Sequence, residues 1–281
     1  YDDEKDNLTY PVYVQPKLDG VRCIAYLNKA PSKNPTDANV VLYTRQKKEY
    51  TGYKDLRKEL LVGLIDMFDI GSKESLYIDG EFYKHGMPLQ NISGAVRNAD
   101  RADISKYKGI KFHIFDVFYP SKASMPFKER LELLNDLFDT FDTTKCVEQV
   151  PTVMAKTQVA EEKMYLDFLE KKYEGAIIRD STSAYLTHPT KTGMSIRSKF
   201  VLKRKMTYSA EYEVVGFTQG SKGRDKGAII WQCITKKNGV KFNATPKNIT
   251  YDERYALFKE ASKQQGQKFD DLYAGRMITV E

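Results

Sequence analysis

Lys17-Leu18-Asp19-Gly20-Val21-Arg22 brings a lysine, a carboxylate, a glycine and an arginine together within six residues. Ahead of it, Tyr10-Pro11-Val12-Tyr13-Val14-Gln15 alternates as a half-buried strand does, and Cys23-Ile24-Ala25-Tyr26-Leu27 behind it is a second strand-like run. The hexapeptide therefore reads as a turn between two strands, with a lysine at its mouth. Lys, Asp and Gly are also ordinary turn residues, so alone the stretch is no more than a surface hairpin. Its meaning depends on whether the rest of the chain supplies that lysine with partners.

A length of 281 residues suits one large domain, or one large and one small. Lys and Arg number 45 against 38 Asp and Glu, and the net charge of +7 favours a polyanionic partner such as nucleic acid. No apolar run is long enough to span a bilayer, so no membrane partner is expected. Cys23, Cys146 and Cys233 are odd in number and widely spaced, which disfavours a disulfide framework or a structural zinc site and suits a reducing cytoplasm. There is no Gly-x-x-x-x-Gly-Lys-Ser/Thr loop and no Gly-x-Gly-x-x-Gly after a strand, which excludes a P-loop and a dinucleotide fingerprint. Histidines occur only at positions 85, 113 and 188; His113, in an alternating strand, reads as structural, and no serine–histidine motif is present.

Strand-like material continues at Val40-Val41-Leu42-Tyr43, followed by a helix over about 54–68 with Leu56, Leu60, Leu64 and Met67 on one face. Residues 76–83 and 110–119 read as strands, Pro126 opens a helix, and a further helix over about 161–172 leads into a strand over 173–179. Residues 200–205 form another strand. After Met206 the texture changes to short strands over 211–218 and 228–235, joined by a Gly/Lys/Arg-rich turn, with Asn238-Gly239 marking a hairpin. Thr250 with Glu253 forms a capping box for one helix. Several short strands plus a helix within some 75 residues suggest a small barrel of the oligonucleotide-binding kind. Two domains are expected, over 1–206 and 207–281, the second ending within what reads as another strand.

One pattern recurs: charged residues in or beside strands, at Lys17, Asp19, Arg22, Arg45, Glu81, Glu174, Lys203 and Lys205. Edge strands carry charge to block aggregation, but charge in strand after strand is explained more simply by a shared cleft.

These residues fall in runs that resemble the covalent nucleotidyltransferase superfamily, and within it the ATP-dependent DNA ligases of phage or viral type. Lys17-Leu18-Asp19-Gly20-Val21-Arg22 matches the nucleophile motif, and Thr44-Arg45 resembles the short arginine motif after it. Asp79-Gly80-Glu81 matches the third motif, and Phe112-His113-Ile114-Phe115-Asp116 the aromatic one. Glu174-Gly175-Ala176-Ile177-Ile178-Arg179 matches the fourth, and Leu202-Lys203-Arg204-Lys205 the fifth. They stand in family order.

The resemblance implies an α+β chain: a nucleotidyltransferase (adenylation) domain of antiparallel sheets flanked by helices, followed by a small OB-fold β-barrel. It implies ATP and Mg²⁺ (or Mn²⁺) as cofactors, nicked double-stranded DNA as partner, and a monomer acting in the host-cell cytoplasm. Lys17 would attack the α-phosphorus of ATP, its charged form disfavoured by Lys203, Lys205 and the metal. Lys203 and Lys205 would hold the α-phosphate, Phe115 would stack on adenine, with Phe112 and Phe118 as competitors, and Glu81 would accept from ribose. Glu174 would hold the metal through oxygen. Asp19 would orient the reacting groups, and Arg22 and Arg45 would meet ribose or the 5′-phosphate of the nick. Lys222, Arg224 and Lys226 fit a phosphate-contacting loop, and Arg197, between the fourth and fifth motifs, is as well explained by a solvated charge.

The family's sixth motif, basic residues late in the OB domain, is expected after the last strand and lies outside this stretch. An mRNA guanylyltransferase or an RNA ligase would share the lysine, and a non-catalytic module for nicked DNA would share the fold. Leu18 within the lysine motif favours a DNA ligase, and intact Lys17, Glu81, Glu174, Lys203 and Lys205 favour catalysis.

Overall fold

The computed structural model describes residues 8–28, 36–44, 46–69, 73–97, 109–142, 144–185, 199–206, 209–247, 249–263 and 267–280. The chain divides into two compact units, residues 1–206 and 207–281.

Two sheets make up the first unit. In one, β7 (Val153–Ala155), β1 (Val12–Lys17), β8 (Gly175–Asp180) and β9 (Val201–Lys205) lie side by side, every neighbouring pair antiparallel. In the other the order is β3 (Val40–Thr44), β2 (Val21–Leu27), β4 (Tyr77–Tyr83), β5 (Lys111–Phe118) and β6 (Val147–Gln149), with only β5–β6 parallel. β1 and β2 are thus not a hairpin. The opening hexapeptide carries the chain from one sheet into the other, and this corrects the surface-hairpin reading.

Side chains alternate across each sheet, so each has a dry and a polar face. Val12, Val14, Ala176, Ile178 and Leu202 share the back of the first sheet, where Tyr165 and Phe168 of α4 (Gln158–Glu170) cover them. The back of the second sheet buries Cys23, Ala25, Ile78 and Phe82 against Leu56, Leu60 and Leu64 of α1 (Lys54–Asp66). Burying each such leucine contributes about 1.5–3 kcal/mol, which is what the helical spacing of α1 supplies. The same core takes in Ile92 and Val96 of α2 (Leu89–Arg97) and Leu134 and Leu137 of α3 (Phe127–Asp139), and Pro126 stands at the α3 N-cap. The residues left over point into the space between the sheets: Gln15, Lys17, Arg179, Lys203 and Lys205 from one, Arg22, Asp79 and Glu81 from the other.

In the second unit β10 (Ala210–Gln219), β11 (Ile229–Ile234), β12 (Lys241–Ala244) and β13 (Met277–Val280) pair in the order β12-β11-β10-β13. Among the described residues this antiparallel order does not close on itself. α5 (Tyr251–Ala261) and α6 (Gln267–Leu272) accompany it, and Val214, Ile229, Cys233, Ala261 and Phe269 form the core. The capping box is in place: Thr250 Oγ1 accepts from Glu253 N at 3.2 Å, and Glu253 Oε2 accepts from Thr250 N at 2.6 Å.

Candidate active site

Lys17 is the last residue of β1, and it stands opposite Gly175, which stands opposite Lys205. One row further along, Gln15, Ile177 and Lys203 line up in the same way. The three lysines therefore share the polar face of one sheet. Gly175 lets the strands close up at this row: its φ is 154°, and a Cβ there would meet the Arg204 carbonyl at 2.0 Å.

Glu174 enters the row from the residue before β8, its N–H bonded to the Lys17 carbonyl at 3.2 Å. Its carboxylate forms an ion pair with the Lys17 ammonium. Glu81 arrives from the other sheet, where it faces Arg22 across β2 and β4. Burial pushes the Glu81 carboxyl up to about 7; the Lys17 ammonium pulls it down, while Asp79 and Glu174 push it further up. Lys17, Glu81 and Glu174 thus share one electrostatic neighbourhood at the mouth of the cleft. Asp19, in the crossover between the sheets, is exposed.

Arg22 is fixed by Asp79, its Nε at 2.9 Å from Oδ1 and its outer nitrogen at 2.5 Å from Oδ2. Asp79 is 1% exposed and also accepts from the Tyr185 hydroxyl at 2.6 Å. Burial and Asp79 hold that hydroxyl well above the usual tyrosine range, so it stays a donor. Its ring stacks on Phe118 at 3.8 Å.

Of the three candidate rings, Phe112 and Phe118 are 0% and 5% exposed, and Phe115 alone is half-buried. The β4–β5 register shifts between Asp79 and Gly80, so that Asp116 and Ile114 flank an extra residue, Phe115. A bulge of this kind re-aims a side chain. Gly80 accommodates it, since a Cβ there would meet the His113 carbonyl at 2.4 Å. Behind Phe115 the Arg179 guanidinium lies 5.4 Å from the ring centre. Arg179 donates to Gln15 Oε1 and Asp116 Oδ2, both at 2.8 Å, while Gln15 Nε2 donates to the Phe115 carbonyl at 3.1 Å. Arg130 of α3, 1% exposed, closes the network with bonds of 2.8 and 3.1 Å to the same Asp116 carboxylate. This buried set holds the two sheets in register. Sequence reasoning gave Gln15, Asp116, Arg130 and Arg179 no role, although Asp116 and Arg179 sit inside the motifs.

Among the described residues no group of three or more acidic, His or Cys side chains gathers to hold a metal ion. A cation here would rest on one or two carboxylates, with phosphate oxygens and water completing its shell, and this is how Mg²⁺ is commonly bound. The donor set fits that ion.

In the second unit Lys222, Arg224 and Lys226 are exposed around a short 3₁₀ turn, Gly223–Asp225. The turn is braced from α5: Arg224 stacks over Tyr251 at 4.3 Å, and Arg254 meets Asp225 at 2.7 Å. Arg45 and Arg197 lie outside the described residues.

The family model described as the ATP-dependent DNA ligase domain matches residues 5–196. The chain belongs to the ATP-dependent DNA ligase family. An African swine fever virus DNA ligase, from a Kenyan pig isolate, is 34% identical over 284 residues, covering 100% of this chain and 60% of that protein. The DNA ligase of a Namibian warthog isolate is likewise 34% identical, over 271 residues, with coverage of 95% and 58%. The chain thus spans about three fifths of the length of these relatives. A solved structure from a study of Lig E DNA ligases has a TM-score of 0.65 at 20% identity, covering 99% of this chain and 88% of that one. The ATP-dependent DNA ligase of bacteriophage T7 in complex with ATP gives a TM-score of 0.52 at 18% identity, with coverage of 99% and 88%. Both share the α+β fold of this family member along nearly its whole length.

Proposed function

We propose that this chain is the catalytic portion of an ATP-dependent DNA ligase, residues 1–206 being its adenylation domain and 207–281 its OB-fold domain. The observation that carries the reading is the single row Lys17–Gly175–Lys205, with Glu174 against the Lys17 ammonium. A nucleophile, a second cation and a carboxylate on one strand row, with Lys203 one row further along the same face, are what transfer of a nucleotidyl group needs.

The deprotonated Lys17 Nζ attacks the α-phosphorus of ATP; an N–P bond forms, the bond to the bridging oxygen breaks, and pyrophosphate leaves. Lys17 is held as an ion pair with Glu174, so before attack the proton must leave and the pair must part. Lys203 and Lys205 meet the negative charge gathering on the α-phosphate. Phe115 stacks on the base and Glu81 accepts from ribose. Glu174 would hold Mg²⁺ through oxygen, and the bound ion would supply neutralisation of phosphate charge. A 5′-phosphate oxygen of the nick then takes the AMP from Lys17, and the neighbouring 3′-hydroxyl attacks that 5′-phosphorus and expels AMP, with Asp19 orienting the hydroxyl. Arg22, held by Asp79, and Arg45 receive the 5′-phosphate; Lys222, Arg224 and Lys226 contact duplex phosphates. The protein acts as a monomer in a reducing cytoplasm, a setting supported by three free, buried cysteines. No described helix is long and apolar enough to cross a membrane.

The test is nucleotide choice. The protein is incubated with ATP, GTP or NAD⁺ labelled at the adenylyl or guanylyl phosphate, then with a nicked duplex. Covalent labelling from ATP alone, followed by sealing, is expected; labelling from GTP would assign the chain to mRNA capping instead.

A further inference from the structure

Lys203 and Lys205 stand on β9, the outermost described strand of its sheet, which β8 holds from one side. The run Lys203-Arg204-Lys205 is cationic at every position, so polarity alone does not tell one face of this strand from the other. A slip of one residue would turn both lysines to the back and bring Arg204 to the front. Leu202, packed under α4, supplies part of the missing signal.

The rest comes from Arg204. It pairs with Ala176 on the back face, where its guanidinium lies over the Tyr165 ring at 4.0 Å. It donates to Glu161 Oε1 at 3.2 Å and forms an ion pair with Glu162. The Glu161 side chain is 0% exposed, and its Oε2 accepts from the Tyr10 hydroxyl at 3.1 Å. Tyr10 lies two residues ahead of the strand that ends in Lys17. One buried carboxylate on α4 therefore ties together, from behind, the strand of the nucleophile and the strand of the lysine pair.

Stability alone does not call for this arrangement. An apolar residue at 204 would continue the pattern of Leu202, and replacing a buried ion pair with well-packed apolar groups is often neutral or stabilising. Buried pairs earn retention best where they fix register.

We infer that Arg204 and Glu161 are positioning residues, which lock β9 in the register that aims Lys203 and Lys205 at the phosphorus attacked by Lys17. The inference rests on the lysyl-transfer reading above. It is tested in single-turnover AMP transfer from ATP with the double variant Glu161→Gln/Arg204→Met, which leaves no unpaired charge between the two positions. The rate at saturating ATP falls by about 100-fold, the scale of a misplacement of roughly 1 Å. The half-saturating ATP concentration moves less than threefold, because Phe115 and Glu81 belong to the other sheet. A purely structural role would instead lower the melting midpoint and leave the rate per folded molecule unchanged, and that result overturns the inference. If the double variant melts below the assay temperature, Arg204→Lys carries the test; it keeps the charge and loses the fork between two carboxylates. About a tenfold loss is then expected, and a wild-type rate overturns the inference. Absence of AMP transfer in the wild-type protein would overturn the functional reading itself, whereas wild-type transfer matched by the variants would overturn only the positioning role.

Discussion

Replacing Glu81 by glutamine keeps the size of the side chain and an acceptor oxygen while removing its charge. Burial raises the Glu81 carboxyl from 4.5 to about 7. At about 1.36 kcal/mol per pH unit, that rise corresponds to roughly 3 kcal/mol against the ionised folded protein, and solvent at the half-buried group reduces it to about 2 kcal/mol. The sign follows from proton binding. The unfolded chain loses this proton near pH 4.5 and the folded chain keeps it to about 7, so between those values the native state holds more protons and stability falls as pH rises. Above about 7 the loss is complete and constant. Glu81→Gln abolishes it. In paired thermal melts the variant gains on the wild type between pH 5 and pH 8, by about 4–8 °C for a unit of this size. A midpoint difference that is the same at both pH values would show that Glu81 titrates alike in the folded and unfolded states, contrary to this expectation.

Three further outcomes are expected. Gly175→Ala drives a Cβ to 2.0 Å from the Arg204 carbonyl, so β8 and β9 must part; AMP transfer falls by more than about tenfold and the melting midpoint drops with it. Arg130→Met strips Asp116 of one of its two guanidinium partners in a buried site, and denaturant unfolding should show a loss of about 3–5 kcal/mol. Changing Lys222, Arg224 and Lys226 together to alanine should make the slope of log K against log salt for duplex binding shallower by about 2.7, at about 0.9 per phosphate contact.

Much of the fold was legible because apolar spacing is local information. The strand at 76–83, the leucine face of α1 and the Thr250–Glu253 box were all readable from neighbours a few residues apart. β6 and β7 went unread because three residues carry no measurable alternation. α2 and α6 also went unread. The sheet exchange at Lys17–Arg22 was hidden for a different reason: both partners of β1 lie more than 130 residues further along the chain, and a short turn looks the same whether its strands pair or part. The buried network follows the same logic. Gln15, Asp116, Arg130 and Arg179 satisfy one another across separations of up to 164 residues, so no neighbouring residue in the sequence announces the partner of any of them. A charged residue inside a strand was the visible signal. It marked Lys17 and Glu81 by motif, and it stood equally at Asp116 and Arg179.

Whether Lys17 becomes covalently bonded to AMP is settled by peptide mapping after reaction with labelled ATP. One acid-labile adenylyl group is expected on the peptide carrying Lys17, and none on Lys17→Ala. Undiminished labelling of Lys17→Ala, or an adenylyl group mapped to another lysine, would contradict that assignment.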